Sequence, residues 1–170
     1  LATAPGGHGT QYGVAVEPLT AADQAEDWVR ARKAEGSDYI KLVYIPNNRG
    51  FPSLDRPTAR AVIEAAHAQG LLALVHISTR QAALEMIQEG VDGLVHVFAD
   101  EPVDDELIQL ALQRGVFVIP TLAVIEAVEG SAENSLRADA EMAGAGLSAM
   151  QQQTLAASFG PAIPGYRLEI

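Results

Sequence analysis

Residues 71–98 read LLALVHISTRQAALEMIQEGVDGLVHVF, and this stretch decides the fold. The run from Leu71 to His76 is almost continuously apolar, as in a strand that is buried on both faces of a parallel sheet. A helical pattern follows from Arg80 to Glu89, and a second strand is predicted from Val91 to Phe98. Strand, helix and strand at this spacing are typical of a βαβ unit.

The same alternation continues on both sides of this stretch. Short apolar runs alternate with helical patterns of about 10 to 15 residues, which favours a parallel sheet with helical crossovers. Residues 126–170 are rich in Ala, Gln, Met and Ser and predict a helical segment with an irregular tail, distinct from the βα units of residues 1–125. The flanking elements are a helix at 20–33 capped by Thr20, a strand at 38–45, a helix from Pro57 to Gly70, a helix at 104–114 and a strand at 116–121.

Four such strands make the chain an α/β protein, and its length limits the choice of architecture. A complete (β/α)8 barrel needs about 250 residues, whereas this chain has 170. We therefore expect either a smaller α/β fold or part of a TIM-like barrel with about four parallel βα units.

Composition narrows the class of partner. Eleven basic and 22 acidic residues give a net charge of -11, which disfavours nucleic acid and anionic membrane surfaces. No apolar run approaches the roughly 18 residues that span a bilayer. The first residues lack the pattern of a signal peptide, which favours the cytoplasm, but Leu1 is not an initiator Met and an upstream targeting segment stays an open alternative. With no cysteine, metal ligands are limited to His, Asp, Glu and modified Lys.

Three predicted strands carry a candidate metal ligand at or near the C-terminal end: Lys41, His76 and His96. In a parallel barrel these ends converge on one mouth, and neutral imidazole is a good ligand for zinc and related ions. Lysine inside an apolar strand is costly unless it is paired or its pKa is lowered, and a neutral lysine can form a carbamate. From spacing alone two interpretations stay open: a metal site, or structural histidines with a lysine whose tip reaches solvent or an Asp.

Three segments together resemble the amidohydrolase superfamily, in particular its imidazolonepropionase-like and prolidase-like branch. They are TAPGGHG at 3–9, GSDYIKLVY at 36–44 and AAHAQGLLALVHISTRQAALEMIQEGVDGLVHVFAD at 65–100. The resemblance covers about residues 3–125. It implies a (β/α)8 barrel that holds one or two divalent metal ions, commonly zinc, and hydrolyses amide, cyclic amide or ester bonds.

By this resemblance Lys41 matches the carboxylated lysine of strand four, His76 the ligand of strand five and His96 the ligand of strand six. Members also carry a His-x-His pair on strand one and a catalytic Asp after strand eight. This chain contains no His-x-His and so corresponds to the middle of the barrel. The catalytic general base is therefore unknown, and we expect the chain alone to be inactive.

Two further residues are candidates for contact with a small amide or dipeptide-like substrate. His8 lies in the glycine-rich loop that would follow strand three, and Arg80 could bind a substrate carboxylate; each is otherwise a structural or solvated residue. Tyr44 and Asn47 are placed at the mouth by position alone. His67, in the middle of a helix, is interpreted as a packing residue.

The sequence thus predicts a metal-dependent hydrolase of carbon–nitrogen bonds, present as a fragment. The alternative is a non-catalytic βα fragment that is stabilised by self-association into a homo-oligomer, which would cover its open sheet edges. A metal-free enzyme with a phosphate site is disfavoured because no glycine-rich phosphate loop occurs.

Overall fold

The structure is a computed structural model that describes residues 1–13, 15–46, 50–122 and 148. The chain divides into two compact units, Leu1–Pro120 and Thr121–Ile170. The predicted helical segment and tail at 126–170 lie outside the described residues apart from Ser148. The described residues lie almost entirely in the first unit.

Four parallel strands alternate with four helices in this unit, as the sequence predicts. The strands pair in chain order, β1-β2-β3-β4, to form one open sheet. The elements are α1 (Ala25–Ala34), β1 (Tyr39–Val43), α2 (Arg56–Ala68), β2 (Leu72–His76), α3 (Arg80–Gln88), β3 (Gly93–Val95), α4 (Asp105–Arg114) and β4 (Phe117–Ile119).

Side-chain caps fix where three of the helices begin. Asp55, Thr79 and Asp104 each accept a hydrogen bond from the backbone N–H three residues ahead, at 2.8, 3.2 and 3.0 Å. Such caps satisfy N–H groups that have no partner within the helix. Asp104 therefore caps the start of α4.

The helix predicted from Thr20 begins later than expected. Residues Ala22–Gln24 form a 3-10 turn, and α1 starts only at Ala25. The Gln24 side chain accepts hydrogen bonds from both the backbone N–H and the hydroxyl of Thr20, so this glutamine and not Thr20 closes the turn.

The two faces of the sheet have different neighbours. We call the face packed against the helices the helix face; it carries Ile40, Leu42, Ala73, Val75 and Leu94, all in the main core. The opposite face, here the inner face, carries Tyr39, Lys41, Leu74 and His76 because side chains alternate along a strand. Tyr39 and Leu72 of the inner face, which pair across β1 and β2, are each 50% exposed.

Candidate active site

His76 and Lys41 share the inner face at the C-terminal end of the sheet. His76 ends β2 and lies opposite Val43 and Val95, and its carbonyl accepts a hydrogen bond from the Tyr44 N–H at 3.0 Å. Lys41 lies opposite Leu74, one step deeper on the same face. The sheet register therefore brings these two side chains to one side of the protein.

His96 reaches the same place through an unusual backbone conformation. Strand alternation after Val95 would send its side chain to the helix face beside Leu94. Instead His96 has φ 73°, in the left-handed region that costs a non-glycine residue roughly 1–2 kcal/mol. Its ring centroid lies 4.5 Å from that of His76. The strand predicted through Phe98 stops at Val95 because the chain turns here, and strain of this kind is concentrated at functional sites.

His8 completes the group from the loop at the edge of the sheet. Ala2 pairs alongside β1, donating to the Lys41 carbonyl at 2.8 Å and accepting from the Val43 N–H at 2.9 Å. The Thr3 hydroxyl then donates to the His8 carbonyl at 3.1 Å. These bonds place the His8 ring 4.6 Å from the His76 ring. We call His8, His76 and His96 the histidine cluster.

A close approach of backbone segments holds the loop that carries His8. A Cβ atom at Gly7 would collide with the side chain of Thr3 and with the carbonyls of Ala4 and Pro52. Only glycine therefore fits at this position, and the loop packs closely against Pro52, in the segment between β1 and α2.

Every base in this region is driven toward its neutral form. Burial, and after it the neighbouring His96, His8 and Lys41, lowers the pKa of His76 to about 3. Burial followed by Lys41 lowers the pKa of both His8 and His96, and burial lowers the pKa of Lys41. Perturbed titratable groups that gather in one place are typical of functional sites.

This donor set has the chemistry of part of a metal site. Neutral imidazoles present lone pairs, and a lysine with a lowered pKa can supply a free amine. Within residues 1–13, 15–46 and 50–122, however, no three His, Asp or Glu side chains come together in an arrangement that could hold a metal ion. His76 and His96 thus fit as two ligands of a site that needs further donors.

Arg80 is engaged elsewhere. Its guanidinium pairs with Asp104 and Glu106 at the start of α4, and its side chain is only 12% exposed. Its backbone N–H donates to Asp100 at 2.9 Å, so α3 is tied to the segment between β3 and α4. The structure does not bring Arg80 into the histidine cluster, and substrate binding by Arg80 stays a prediction.

Tyr44 and His67 have surroundings that differ from those expected from their positions in the sequence. Tyr44 lies in the core of the helix face and its hydroxyl donates to Glu85 of α3, so its placement at the mouth is wrong. Asn47 lies outside the described residues. His67 does not pack in the core: its side chain is 43% exposed and its Nε2 lies 2.8 Å from Asp92 Oδ2.

Gln11 and Phe51 both contact His8, and neither is indicated as a site residue by the sequence. The Gln11 amide nitrogen lies 3.2 Å from His8 Nδ1, and the Phe51 and His8 ring centroids are 5.4 Å apart. The spacing of three residues between His8 and Gln11, inside a glycine-rich turn, was the only signal for the first contact. Phe51 lies within the loop between β1 and α2 and carries no comparable signal.

The chain is similar to part of several larger proteins. No family model matches the chain. An uncharacterized protein of Mycobacterium tuberculosis (strain ATCC 25618 / H37Rv) is 31% identical over 108 residues, which are 61% of this chain and 28% of that protein. The chain therefore spans less than a third of the length of this curated relative.

Solved structures of other proteins are similar over most of the chain. A Xaa-Pro dipeptidase with bound methionine in the active site superposes with a TM-score of 0.60 and 22% identity, over 92% of this chain and 40% of that one. A structure described as an amidohydrolase gives 0.57 and 22%, over 86% and 34%. These likenesses confirm the predicted fold class, an α/β unit that forms part of a TIM-like barrel.

Proposed function

We propose that this chain is the central part of a metal-dependent hydrolase of the amidohydrolase superfamily that acts on carbon–nitrogen bonds. The observation that carries the proposal is the gathering of three histidines beside Lys41 at the C-terminal end of a parallel sheet. In TIM barrels this end of the sheet is where active sites lie. The fold shared with a dipeptidase and an amidohydrolase supports the same class of reaction.

In this proposal Lys41, His76 and His96 hold one or two divalent ions, with zinc expected, in the intact enzyme. The metal supplies Lewis-acid polarisation of the scissile carbonyl and a water of lowered pKa. Lys41 contributes after its neutral amine adds carbon dioxide, which forms a nitrogen–carbon bond and releases one proton. The lowered pKa of Lys41 favours this step because only the free amine is nucleophilic.

His8 is proposed to contact the substrate, which we take to be a small amide, cyclic amide or dipeptide-like molecule. The dipeptidase with bound methionine supports the dipeptide-like class. Arg80 is retained as a second proposed contact, although it would first have to leave Asp104 and Glu106. The general base is not identified among the described residues, so the chain alone is expected to be inactive.

A non-catalytic fragment that self-associates is the second candidate function. The exposed inner face favours it: Tyr39 and Leu72 are half exposed, and so are Phe117 and Ile119 of β4. Parallel sheets are normally covered on both faces. Burying this face against a second copy would remove apolar surface from water.

The deciding experiment compares metal content, mass in solution and hydrolysis. The chain alone is expected to hold far less than one zinc per molecule by elemental analysis and to leave Xaa-Pro dipeptides intact. The intact enzyme is expected to hydrolyse them, with turnover abolished by His96→Ala and retained by the control His67→Ala. Equal loss of turnover in both variants, or none in His96→Ala, overturns the proposal; a metal-free oligomer without hydrolysis in any form supports the second candidate.

A further inference from the structure

Gln11 is held beside His8 by a short, tightly turned segment. It lies in the 3-10 turn Thr10–Tyr12, between Gly9 at φ 103° and Gly13 at φ 73°. Both glycines occupy the left-handed region, which other residues rarely adopt. The turn folds the Gln11 side chain back over the residues that precede it, so that it contacts both Gly9 and His8.

The contact with Gly9 fixes the orientation of the Gln11 amide. The Gly9 backbone N–H lies 2.7 Å from the Gln11 amide oxygen. A backbone N–H can only donate, so the atom it meets must be the oxygen and not the NH2 group. This settles an assignment that is otherwise ambiguous for glutamine. The NH2 group is the one that faces His8.

The orientation of this amide in turn fixes the tautomer of His8. The Gln11 NH2 group lies 3.2 Å from His8 Nδ1 and can only donate, so Nδ1 must accept. A neutral imidazole that accepts at Nδ1 carries its proton on Nε2. Burial, followed by the nearby Lys41, lowers the pKa of His8 and so favours this neutral form.

A histidine in this state cannot bind a metal ion, which is the role proposed for His76 and His96. One nitrogen is already occupied by the Gln11 amide and the other carries a proton, so His8 presents no free lone pair to a metal ion. It presents an N–H donor instead. Edge contacts of its ring with Tyr12 and Phe51, at 5.9 and 5.4 Å between centroids, hold the imidazole in place.

We propose that Gln11 is a positioning residue that keeps His8 in the Nε2–H tautomer, which excludes His8 from metal ligation and makes it a hydrogen-bond donor to a carbonyl or carboxylate oxygen of the ligand. The tautomer follows from the Gly9–Gln11–His8 contacts alone. Only the identity of the acceptor rests on the proposed function. Gln11 acts through His8 and need not touch the ligand itself.

The test reads the tautomer directly in the 15N-labelled chain. Two-bond 1H–15N correlations, recorded at a pH well above the ordinary histidine pKa, distinguish a protonated ring nitrogen from an unprotonated one. The His8 signals are those missing in His8→Asn. We expect a protonated Nε2 and an unprotonated Nδ1 for His8 in the unmodified chain; a protonated Nδ1 overturns the proposal without recourse to any variant.

An isosteric variant sharpens the test. Gln11→Glu replaces the NH2 donor by a carboxylate oxygen that can only accept, so the proton of His8 is expected to move from Nε2 to Nδ1. Gln11→Leu removes both groups and is expected to give a mixture of tautomers. An unchanged tautomer in a folded Gln11→Glu chain overturns the proposal.

The control is Gln24→Glu, because Gln24 also accepts from a backbone N–H but contacts Thr20 and not a histidine. It is expected to leave the His8 signals unchanged. The measurement needs neither metal nor substrate, so absence of hydrolysis in every form of the protein would count against the proposed function and leave the tautomer result standing.

Discussion

Titratable groups have different neighbours on the outer helices and in the histidine cluster. On the helices, cations meet anions: Arg60 lies 2.9 Å from Glu89, and Arg80 pairs with Asp104. In the cluster, the groups that act on His76 after burial are other bases. The helix surface thus pairs its charges, whereas burial and the neighbouring bases favour the neutral form of His76. Proteins keep such arrangements where chemistry needs them.

The largest expected effect is the loss of stability when a side chain is removed from the buried helix face. Leu42 is fully buried, so Leu42→Ala should lower the free energy of unfolding by about 2 to 5 kcal/mol through lost burial and a residual cavity. Urea unfolding followed by fluorescence of Trp28, the single tryptophan, reports this unit.

Leu72→Ala is the matched control because it removes the same atoms from the half-exposed inner face. It should cost less than about 1 kcal/mol. Equal losses for the two variants would show that the inner face is covered in solution, in favour of self-association.

The next effect is a loss of folding stability in acid, and its sign follows from the lowered pKa of His76. The unfolded chain protonates this ring near 6.5 and the folded protein only near 3, so the unfolded state binds more protons between these values. The contribution of His76 to stability is therefore complete above about pH 6.5 and is lost as the pH falls toward 3. Each pKa unit of this shift corresponds to about 1.4 kcal/mol, so the loss should amount to several kcal/mol.

His76→Gln keeps a polar side chain that does not titrate, so it should flatten this pH dependence. Urea unfolding on both sides of pH 6.5 measures the two slopes, and titrating groups outside the histidine cluster and Lys41 contribute equally to both proteins. Identical slopes would mean that His76 is solvated and free to protonate in the folded state.

A smaller effect is expected at Asp92, which links α2 to β2 through one carboxylate oxygen. Asp92 Oδ2 accepts from the Ala73 N–H at 2.7 Å and lies 2.8 Å from His67 Nε2. Asp92→Ala leaves the strand N–H without its partner and should cost about 1 to 2 kcal/mol. Urea unfolding followed by Trp28 fluorescence measures it.

His67→Ala removes only an exposed pair and should cost less than about 1 kcal/mol. Asp92→Asn, which can still accept from Ala73, should recover most of the loss. If His67→Ala proved more costly than Asp92→Ala, the packing interpretation of His67 would return.

Much of the fold was predictable because its signals are local. Apolar runs such as Leu71 to His76 predict strands, and glycine stops such as Gly70 predict helix ends, within a few residues of the observed limits. Strand ends also indicated that Lys41, His76 and His96 share one end of the sheet.

The remaining features depend on single dihedral angles or on distant partners. Alternation alone would put His96 on the helix face, and only its positive φ brings it to His76. The partner of the Tyr44 hydroxyl, Glu85, lies 41 residues away along the chain. The role of Gln11 requires the direction of one amide, which no residue pattern encodes.

Because His96 has a left-handed backbone, selection for stability and selection for turnover would favour different residues at position 96. A glycine there would adopt the same φ without steric cost, and so a screen for thermal stability alone should drift toward His96→Gly. Under the proposed function, a screen of the intact enzyme for turnover should restore the imidazole each time. Position 96 is therefore where laboratory evolution would separate selection for stability from selection for turnover.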